Sequence, residues 1–399
     1  MAHIVADSGI PGVFDALSGF GTVELMDPVR MSASTLAQAD ILIVRSVARV
    51  GKEMLNGTRI RMVGSATAGT DHVDLDLLRD REIAFYHAPG ANADSVADYV
   101  MTALLTISVH RNEPLEGRIL GVVGHGQVGS RVARRAGGLG MSVEVCDPPL
   151  EAAIAESVRR GVSFPLTGSL DLSFCGLDEM LPRVDVLSIH TPLTVAGPHP
   201  TRHLMDGSRL GAFGGWLINT ARGAVVDNAG LRGLLDAAKG PSGVVLDVWE
   251  GEPLPDPRLA RMVDIGTCHV AGYATDSKWQ ATRMMAEAVA DFLGQEIGPE
   301  GDSRLPTISM EAPAVTSDAG ATGRGQYNKW LLDLALRMCP LDRDHATLKQ
   351  VLEQRDPGRA FEAARSGYPG RRLMRRHQVT GVPGRLRAAV ERGLTAEPV

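Results

Sequence analysis

Residues 120–147 read LGVVGHGQVGSRVARRAGGLGMSVEVCD, and they carry the clearest signal of the fold. The apolar run 120–123 is typical of a buried parallel strand, and the next six residues fit the pattern G-x-G-x-x-G. Glycines at 124 and 126 allow a sharp turn and a close approach to a pyrophosphate, and Gly129 allows the following helix to pack against the strand. The N-terminus of that helix would face the phosphates. The sequence therefore predicts a dinucleotide-binding βαβ unit.

The acid at the end of the second strand indicates which dinucleotide is bound. A second apolar run, residues 143–146, ends in Asp147, roughly 20 residues beyond the glycines. A carboxylate there can accept the ribose hydroxyls of NAD and repels the additional phosphate of NADP. An ordinary glycine turn is the alternative for the glycines alone. Strand, helix, second strand and terminal acid in this order favour NAD.

Composition sets the general class. The chain has 399 residues, of which 44% are hydrophobic, so it can bury more than one core. Its net charge of -6 gives no reason to expect binding to nucleic acid or to an anionic membrane. The four cysteines lie far apart in the sequence and suggest neither a disulfide framework nor a metal site. They are Cys146, Cys175, Cys268 and Cys339.

No targeting or membrane-spanning pattern is visible. The segment MAHIVADSGIPG lacks a basic region followed by a long apolar stretch, and no run of about 20 apolar residues occurs. We expect a cytoplasmic protein.

Short strands and helices alternate through the first 275 residues, which predicts an α/β fold. Predicted strands before the glycine motif are 3–5, 41–44, 60–63 and 83–86, with helices at 12–17 and 94–110. Beyond the motif they are 184–189, 216–218, 244–248 and 265–267. We therefore predict a Rossmann-type doubly wound parallel sheet over 104–276. A flavodoxin-like substrate domain would be formed by 1–103 with 277–295, and a small α+β domain by 300–399. We expect substrate to enter between the first two domains.

Residues that follow the later strands form a coherent chemical set. Arg222 could hold the carboxylate of a 2-hydroxy or 2-oxo acid bidentately. His269 can exchange a proton near neutral pH, and Glu252 could orient its imidazole. Asp247 could meet a nicotinamide. A surface ion pair, an exposed loop acid and a buried structural histidine are the alternatives for Arg222, Glu252 and His269 singly.

The segments GHGQVG, HTPLT, INTARGAVVDN, VVLDVWEGEP and DIGTCHVAGY together resemble the D-isomer-specific 2-hydroxyacid dehydrogenase family. The resemblance implies that Arg222, Glu252 and His269 are catalytic. VRSVARV, VGSATAGTDHVD and APGANADSVADYV narrow it to the branch that oxidises 4-phospho-D-erythronate with NAD in vitamin B6 synthesis. For that branch it implies substrate contacts at Ser46, Thr67 and Tyr273. The NAD contacts that the resemblance implies include the three glycines of the motif. The full set is Gly124, Gly126, Gln127, Val128, Gly129, Asp147, Thr191, Thr220, Ala221, Arg222, Asp247 and Gly272.

Three positions depart from the usual pattern of that branch. Ala91 replaces a cysteine, INTARG replaces INACRG, and Arg49 stands where a lysine is expected. None of them removes a catalytic residue. Arg49 keeps a positive charge near a possible phosphate, with a different geometry. The departures bear on the substrate rather than on the reaction.

The C-terminal segment differs in composition from the rest. Residues 298–325 read as a linker with one strand near 307–310, and helical patterns follow at 327–337 and 345–354. The segments LDRDHATLKQV and ARSGYPGRRLM resemble the dimerisation domain of the same branch, which implies a homodimer. The arginines of the tail are either a solvated basic face or a surface that attracts a phosphorylated substrate. They are Arg355, Arg359, Arg365, Arg371, Arg372, Arg375 and Arg376.

Two other functions remain open at this stage. A dehydrogenase for another substrate, such as 3-phosphoglycerate, would share the catalytic set, although the tail lacks the βαββαβ pattern of a regulatory ACT domain. A non-catalytic NAD-gated binding protein could keep the same fold and the same three residues. Turnover separates these possibilities.

Overall fold

The computed structural model describes residues 1–160, 173–297, 305–314 and 324–399. The strands are β1 Ala2–Asp7, β2 Gly21–Met26, β3 Ile41–Val44, β4 Met62–Ser65, β5 Ala84–His87, β6 Ile119–Val123, β7 Ser142–Cys146, β8 Ser173–Phe174, β9 Val186–Ile189, β10 Trp216–Asn219, β11 Gly243–Leu246, β12 Ile265–Gly266, β13 Ile308–Glu311, β14 His377–Thr380 and β15 Glu397–Pro398. The helices are α1 Val13–Leu17, α2 Lys52–Leu55, α3 Leu75–Asp80, α4 Ala93–Arg111, α5 Gln127–Gly138, α6 Pro148–Arg159, α7 Leu177–Met180, α8 Gly207–Ala212, α9 Asn228–Asp236, α10 Pro257–Met262, α11 Thr275–Leu293, α12 Arg324–Met338, α13 Leu341–Leu352 and α14 Pro357–Ser366.

The chain divides into two compact units. One is Met1–Asp94 with Ala274–Pro306, and the other is Ser95–Tyr273 with Thr307–Val399. We predicted a third domain over 300–399, but the C-terminal segment packs within the same unit as the nucleotide-binding sheet. Leu348 and Phe361 of that segment belong to the core that covers one face of this sheet. Most of the predicted linker, 298–304 and 315–323, lies outside the described residues.

The first unit is built on a five-stranded parallel sheet with the order β2-β1-β3-β4-β5. This is the flavodoxin-like order, as predicted. Strands β3 and β4 are entirely buried, which is why their apolar runs were visible in the sequence. Strand β2 was not predicted. It lies at the edge of the sheet with most of its residues partly exposed, and it therefore carries no continuous apolar signal.

The second unit contains a seven-stranded parallel sheet with the order β12-β11-β10-β9-β6-β7-β8. This is the doubly wound Rossmann order, so the predicted fold class is confirmed. Side chains of β10 alternate between two cores, with Trp216 and Ile218 on one face and Leu217 on the other. The strand order reverses between β6 and β9, and ligands bind outside the carboxyl ends of strands at such a point.

The described part of the C-terminal segment adds three α-helices and a small parallel sheet of order β13-β14-β15, which gives the predicted α+β character. A buried ion pair fastens it to the Rossmann sheet. Arg135 of α5 contacts Asp98 of α4 at 2.5 Å and donates to the carbonyls of Gly393 and Leu394. Asp98 also accepts the backbone N–H of Met374 at 3.1 Å.

Among the described residues, no helix is both long and apolar enough to cross a membrane.

Candidate active site

The glycine motif forms the turn between β6 and α5. Gly124 has a φ of +87°, and an added Cβ would lie 2.9 Å from the carbonyl oxygen of His190. An added Cβ at Gly129 would lie only 1.9 Å from the carbonyl oxygen of Gly124. At Gly126, by contrast, an added Cβ would meet no described atom within 4 Å. Packing of the chain therefore requires two of the glycines, whereas the third borders open space at the start of α5.

Asp147 lies at the end of β7, beside the glycine turn. One of its carboxylate oxygens accepts the N–H of His125 at 2.8 Å, and the other accepts the N–H of Leu150 at 3.0 Å and so caps α6. The first two residues of α5 complete this edge. Gln127 is exposed, and Val128 packs against the core. The sequence-predicted residues of the βαβ unit thus meet at one edge of the sheet.

The surrounding polar groups fit an NAD molecule. Nε2 of His125 and Oγ1 of Thr191 are buried, and neither has a hydrogen-bond partner within the described ranges. Burial and the neighbouring His125 lower the pKa of His190 to about 3, so this imidazole is neutral. Its Nε2 contacts Ser188 Oγ at 2.9 Å, and its Nδ1 lies 3.5 Å from Thr220 Oγ1. Buried donors and acceptors that their own chain leaves unused are the groups that a bound dinucleotide satisfies.

The predicted pair of His269 and Glu252 forms in the same unit. Nδ1 of His269 lies 2.8 Å from Glu252 Oε2, and both side chains are about three quarters buried, at 24% and 21% exposure. His269 has a φ of +55°, a conformation that a residue with a Cβ seldom adopts. The surrounding loop therefore imposes this conformation.

Asp247 holds that loop. Its carboxylate accepts bonds from Thr267 Oγ1 at 2.6 Å, from the N–H of Val270 at 2.7 Å and from the N–H of Ala271 at 3.0 Å. Its backbone carbonyl accepts the N–H of His269 at 2.8 Å. We predicted a contact between Asp247 and the nicotinamide, and that contact stays a prediction. The structure shows in addition that Asp247 binds the backbone of His269 and of the two residues after it, and the side chain of Thr267 before it.

Glu252 remains ionised at neutral pH despite its burial. Burial alone would raise its pKa, but the hydrogen bond and charge of His269, the N–H of Trp249 and the charge of Arg365 together lower it. The N–H of Trp249 donates to Glu252 Oε1 at 2.8 Å. One carboxylate oxygen is therefore held by the backbone while the other faces the imidazole.

Arg222 begins a short 3₁₀ turn, Gly223–Val225, after β10. The side chain of Asn219 braces this turn by accepting the N–H of Ala221 and donating to the carbonyl of Arg222, both at 3.0 Å. An added Cβ at Gly223 would lie 1.9 Å from the carbonyl carbon of Trp249. The turn that carries Arg222 thus packs directly against the turn that leads to Glu252.

Residues predicted to touch substrate are found in both units. Tyr273 lies in the second unit, two residues after Ala271 and directly after Gly272, and its ring meets the ring of Tyr368 edge to face at 6.1 Å. In the first unit, Ser46 is exposed in the turn after β3. Thr67 Oγ1 contacts Ser65 Oγ at 2.7 Å in the loop after β4. The substrate contacts of all three stay predictions.

Sequence reasoning missed the side chains of the tail that reach the His269 loop. Arg371 is buried and donates to the carbonyl of Ala271 at 2.7 Å and to that of Ser95 at 2.8 Å. We hypothesised that one or more of the tail arginines help to attract a phosphorylated substrate, and this stays a prediction. The guanidinium of Arg371 itself is enclosed by backbone carbonyls of its own chain. The segment ARSGYPGRRLM was visible in the sequence, but nothing in it indicated which elements its residues contact.

We expected no metal site from the sequence. The described residues contain one group of three possible ligands, His203, Asp227 and Glu250, whose ligand atoms lie within 4.8 Å of one another. His203 Nε2 contacts Glu250 Oε1 at 2.8 Å, and Asp227 caps α9 by accepting the N–H of Gly230 at 2.9 Å. These partners account for the group without an ion.

Known proteins resemble the chain over its whole length. The erythronate-4-phosphate dehydrogenase of Salinibacter ruber (strain DSM 13855 / M31) is 44% identical over 404 residues and covers 98% of each chain. The protein of the same name from Azotobacter vinelandii (strain DJ / ATCC BAA-1303) is 42% identical and covers 100% of both. The chain belongs to the erythronate-4-phosphate dehydrogenase family.

The erythronate-4-phosphate dehydrogenase family is itself related to a wider group of enzymes. Residues 106–271 match the model described as D-isomer specific 2-hydroxyacid dehydrogenase, NAD binding domain. The D-lactate dehydrogenase of Aquifex aeolicus, solved with NAD and lactic acid, is 25% identical, with a TM-score of 0.57 over 73% of this chain and 95% of that one. The TT0316 protein of Thermus thermophilus is 28% identical, with a TM-score of 0.57 over 74% and 98%. The predicted family, NAD cofactor and dehydrogenase class are thereby confirmed.

Proposed function

We propose that the protein oxidises the C2 hydroxyl of 4-phospho-D-erythronate to (R)-3-hydroxy-2-oxo-4-phosphooxybutanoate, with NAD as the acceptor, in the synthesis of pyridoxal 5'-phosphate. The observation that carries this proposal is the His269–Glu252 pair on the loops after β11 and β12, in the same unit as the glycine motif. The name shared by the full-length relatives supports the choice of substrate.

His269 is the proton acceptor in this proposal. Its Nδ1 side is engaged by Glu252, so Nε2 is the nitrogen that takes the proton from the C2 hydroxyl. The carboxylate of Glu252 stabilises the imidazolium that this transfer creates. In the reverse direction the same nitrogen returns the proton to the 2-oxo group.

Arg222 holds and polarises the substrate. Its guanidinium can bind the substrate carboxylate through two parallel N–H bonds, which fixes C2 and its hydroxyl relative to His269. The positive charge also stabilises the oxygen at C2 as the carbonyl forms. The bracing of its turn by Asn219 limits the motion of the backbone from which Arg222 projects.

The residues proposed to hold NAD are those around the glycine turn. The N-terminus of α5 and the backbone near Gly126 would receive the pyrophosphate, and Asp147 would receive the ribose hydroxyls. Bound NAD would accept the C2 hydrogen with its electron pair while His269 takes the hydroxyl proton. Thr191 Oγ1 and His125 Nε2 are further polar atoms with capacity to bind it.

Other parts of the proposal rest on the family alone. Ser46, Thr67 and Tyr273 are proposed to contact the substrate. The active form is proposed to be a homodimer, assembled through the C-terminal segment and located in the cytoplasm. Sedimentation of the purified protein measures the oligomeric state directly.

A substrate panel tests the function. Purified protein with NAD is assayed for NADH with 4-phosphoerythronate, erythronate, 3-phosphoglycerate, glycerate and lactate. We expect the highest kcat/KM for 4-phosphoerythronate. A parallel assay contains 2-oxoglutarate and measures 2-hydroxyglutarate, because NADH that remains bound would escape the first readout. If neither assay shows product with any acid, the proposal that the protein is an enzyme fails. If kcat/KM is highest for 3-phosphoglycerate, that acid takes the place of 4-phosphoerythronate as the proposed substrate.

A further inference from the structure

Arg365 lies at the end of α14, in the C-terminal segment, close to the catalytic pair. Its charge is one of the interactions that lower the pKa of Glu252. Its guanidinium carbon lies 6.0 Å from the centre of the Tyr273 ring, within reach of a cation–π interaction. A cation from the tail therefore stands beside the residues proposed to bind and oxidise the substrate.

The guanidinium of Arg365 has unused hydrogen-bonding capacity. Its Nε is buried without a partner, and no hydrogen bond or ion pair involves this side chain among residues 1–160, 173–297, 305–314 and 324–399. An arginine carries five N–H donors, and leaving the buried Nε–H of Arg365 unsatisfied is costly. Such a group is suited to receive an anion from outside the protein.

Arg371, six residues further along the chain, has a structural role that can be compared with Arg365. It donates to the carbonyls of Ala271 and Ser95 at 2.7 and 2.8 Å and contacts the hydroxyl of Tyr368 at 3.4 Å. It thereby holds the backbone of the His269 loop. Arg365 has no such carbonyl partners in the described part of the chain, so a structural role of that kind does not explain it.

The Tyr273 ring, which lies below the guanidinium of Arg365, is held in position by its neighbours. Tyr273 meets Tyr368 edge to face, with an angle of 90° between the ring planes. The hydroxyl of Tyr368 donates to Asp344 at 2.8 Å, inside the C-terminal segment. Because these contacts position the rings, they also limit where the guanidinium of Arg365 can lie.

We propose that Arg365 binds the phosphate group of the substrate and makes the enzyme selective for phosphorylated 2-hydroxy acids. This inference rests on the proposed function, in which Arg222 binds the carboxylate at the other end of the same molecule. A substrate with two anionic ends needs a second cation, and a guanidinium fork matches phosphate geometry. Arg365 lies beyond residues 106–271, the part that matches the general 2-hydroxyacid dehydrogenase model.

The test compares two acids that differ only in the phosphate, 4-phosphoerythronate and erythronate. For Arg365→Gln we expect kcat/KM with 4-phosphoerythronate to fall roughly ten- to hundredfold, the loss typical of a charge-assisted hydrogen-bonded pair. The value for erythronate should change less than about twofold. Arg359→Gln is the matched control, because Arg359 is an exposed arginine on the same helix, and it should leave both values unchanged.

A second variant, Arg365→Lys, and a direct measurement of binding test the inference independently of the glutamine variant and of turnover. The lysine retains the charge without the fork and should show an intermediate loss of selectivity, even if the glutamine variant folds poorly. Calorimetric titration of the NADH-loaded protein with each acid reads the same selectivity without turnover. If the wild type oxidises neither acid, the proposed function fails, while the titrations still measure the effect of Arg365.

Two results would overturn the inference. If Arg365→Gln lowers kcat/KM equally with both acids, Arg365 acts by supporting Glu252 and not by binding phosphate. The pH profile of kcat/KM with erythronate would then also shift in this variant. A wild-type protein that binds both acids equally would show that no phosphate site exists. If 3-phosphoglycerate proves to be the substrate, the same comparison is made with glycerate.

Discussion

Nδ1 of His269 lies 2.8 Å from a carboxylate oxygen of Glu252, and the two residues follow neighbouring strands of one parallel sheet. The pairing depends on the backbone more than on the side chains. The carboxylate of Asp247 accepts the N–H groups of Val270 and Ala271, which directly follow His269, and Trp249 donates its N–H to Glu252. The sheet and its loops thus set the geometry of the pair before any ligand binds.

Substitutions in this pair should separate its two roles. His269→Ala removes the proposed proton acceptor, and we expect kcat to fall on the order of 10²- to 10⁴-fold. Glu252→Gln keeps the shape but removes the charge that stabilises the imidazolium, so its loss should be smaller. Steady-state kinetics with 4-phosphoerythronate measure both, and the affinity for NADH, measured by fluorescence, should stay near that of the wild type. A larger loss for Glu252→Gln than for His269→Ala would contradict these roles.

Glu252 should also contribute a pH-dependent part of the stability. Its pKa in the folded protein is lowered from 4.5, although burial alone would raise it, because His269, the Trp249 N–H and Arg365 stabilise the carboxylate. The unfolded chain therefore takes up the proton first as the pH falls. The stabilisation is fully present above the ordinary pKa and is lost as the pH falls through the folded value.

Comparison with Glu252→Gln isolates this contribution. The difference in unfolding free energy between the wild type and the variant should shrink as the pH falls below 4.5. Urea unfolding at a series of pH values measures it. A difference that grows as the pH falls below 4.5 would show that the folded state raises the pKa of Glu252.

Two glycines of the motif, Gly126 and Gly129, should respond differently to replacement by alanine. At Gly129 an added Cβ would lie 1.9 Å from the carbonyl oxygen of Gly124, so Gly129→Ala should lower the thermal stability of the cofactor-free protein. At Gly126, φ is -77° and no described atom lies within 4 Å of the added Cβ. Gly126→Ala should therefore leave the melting temperature unchanged and weaken NADH binding, because the methyl group would occupy the space proposed for the pyrophosphate. Unchanged NADH affinity in this variant would place the pyrophosphate elsewhere.

Asp147 should determine the preference between NAD and NADP. Asp147→Asn removes the negative charge that would repel the 2'-phosphate, and it keeps an oxygen to cap α6. We expect the ratio of kcat/KM for NAD over NADP to fall at least about tenfold, with a smaller loss of stability than alanine causes, because one oxygen remains for the N–H groups of His125 and Leu150. Asp147→Ala should show the same change in preference and also lose about 1 kcal/mol of stability through the missing cap. An unchanged cofactor preference in both variants would remove Asp147 from the ribose site.

The parts of the site that could be predicted from the sequence are those with a local signal. The turn at Gly124, the acid at Asp147 and the residues after β10 to β12 all follow apolar runs, and the ends of parallel strands meet at one edge of a sheet. Arg222, Glu252 and His269 could therefore be grouped from their positions alone. His269 and Glu252 can pair because the strands that precede them end at that same edge.

The contribution of the tail could not be predicted in this way. Arg371 and Ala271 are 100 residues apart in the sequence, and the contact between them depends on tertiary packing rather than on any periodic pattern. Compositional reasoning treated the tail arginines as one basic surface. The structure separates them into Arg371, which is enclosed by carbonyls, and Arg365, which lies beside Tyr273.

The buried pair of Arg135 and Asp98 should be the strongest single attachment of the tail to the nucleotide-binding sheet. Both side chains are at most 2% exposed, and each also binds backbone of the C-terminal segment. Asp98→Ala leaves the guanidinium buried without its counter-ion, so we expect a loss of about 3–5 kcal/mol in the free energy of unfolding. Asp76→Ala is the control, because Asp76 and Arg79 form an exposed pair at 83% and 73% and should lose less than about 1 kcal/mol. Chemical unfolding followed by tryptophan fluorescence measures both variants, and equal losses would show that the buried pair does not hold the tail in place.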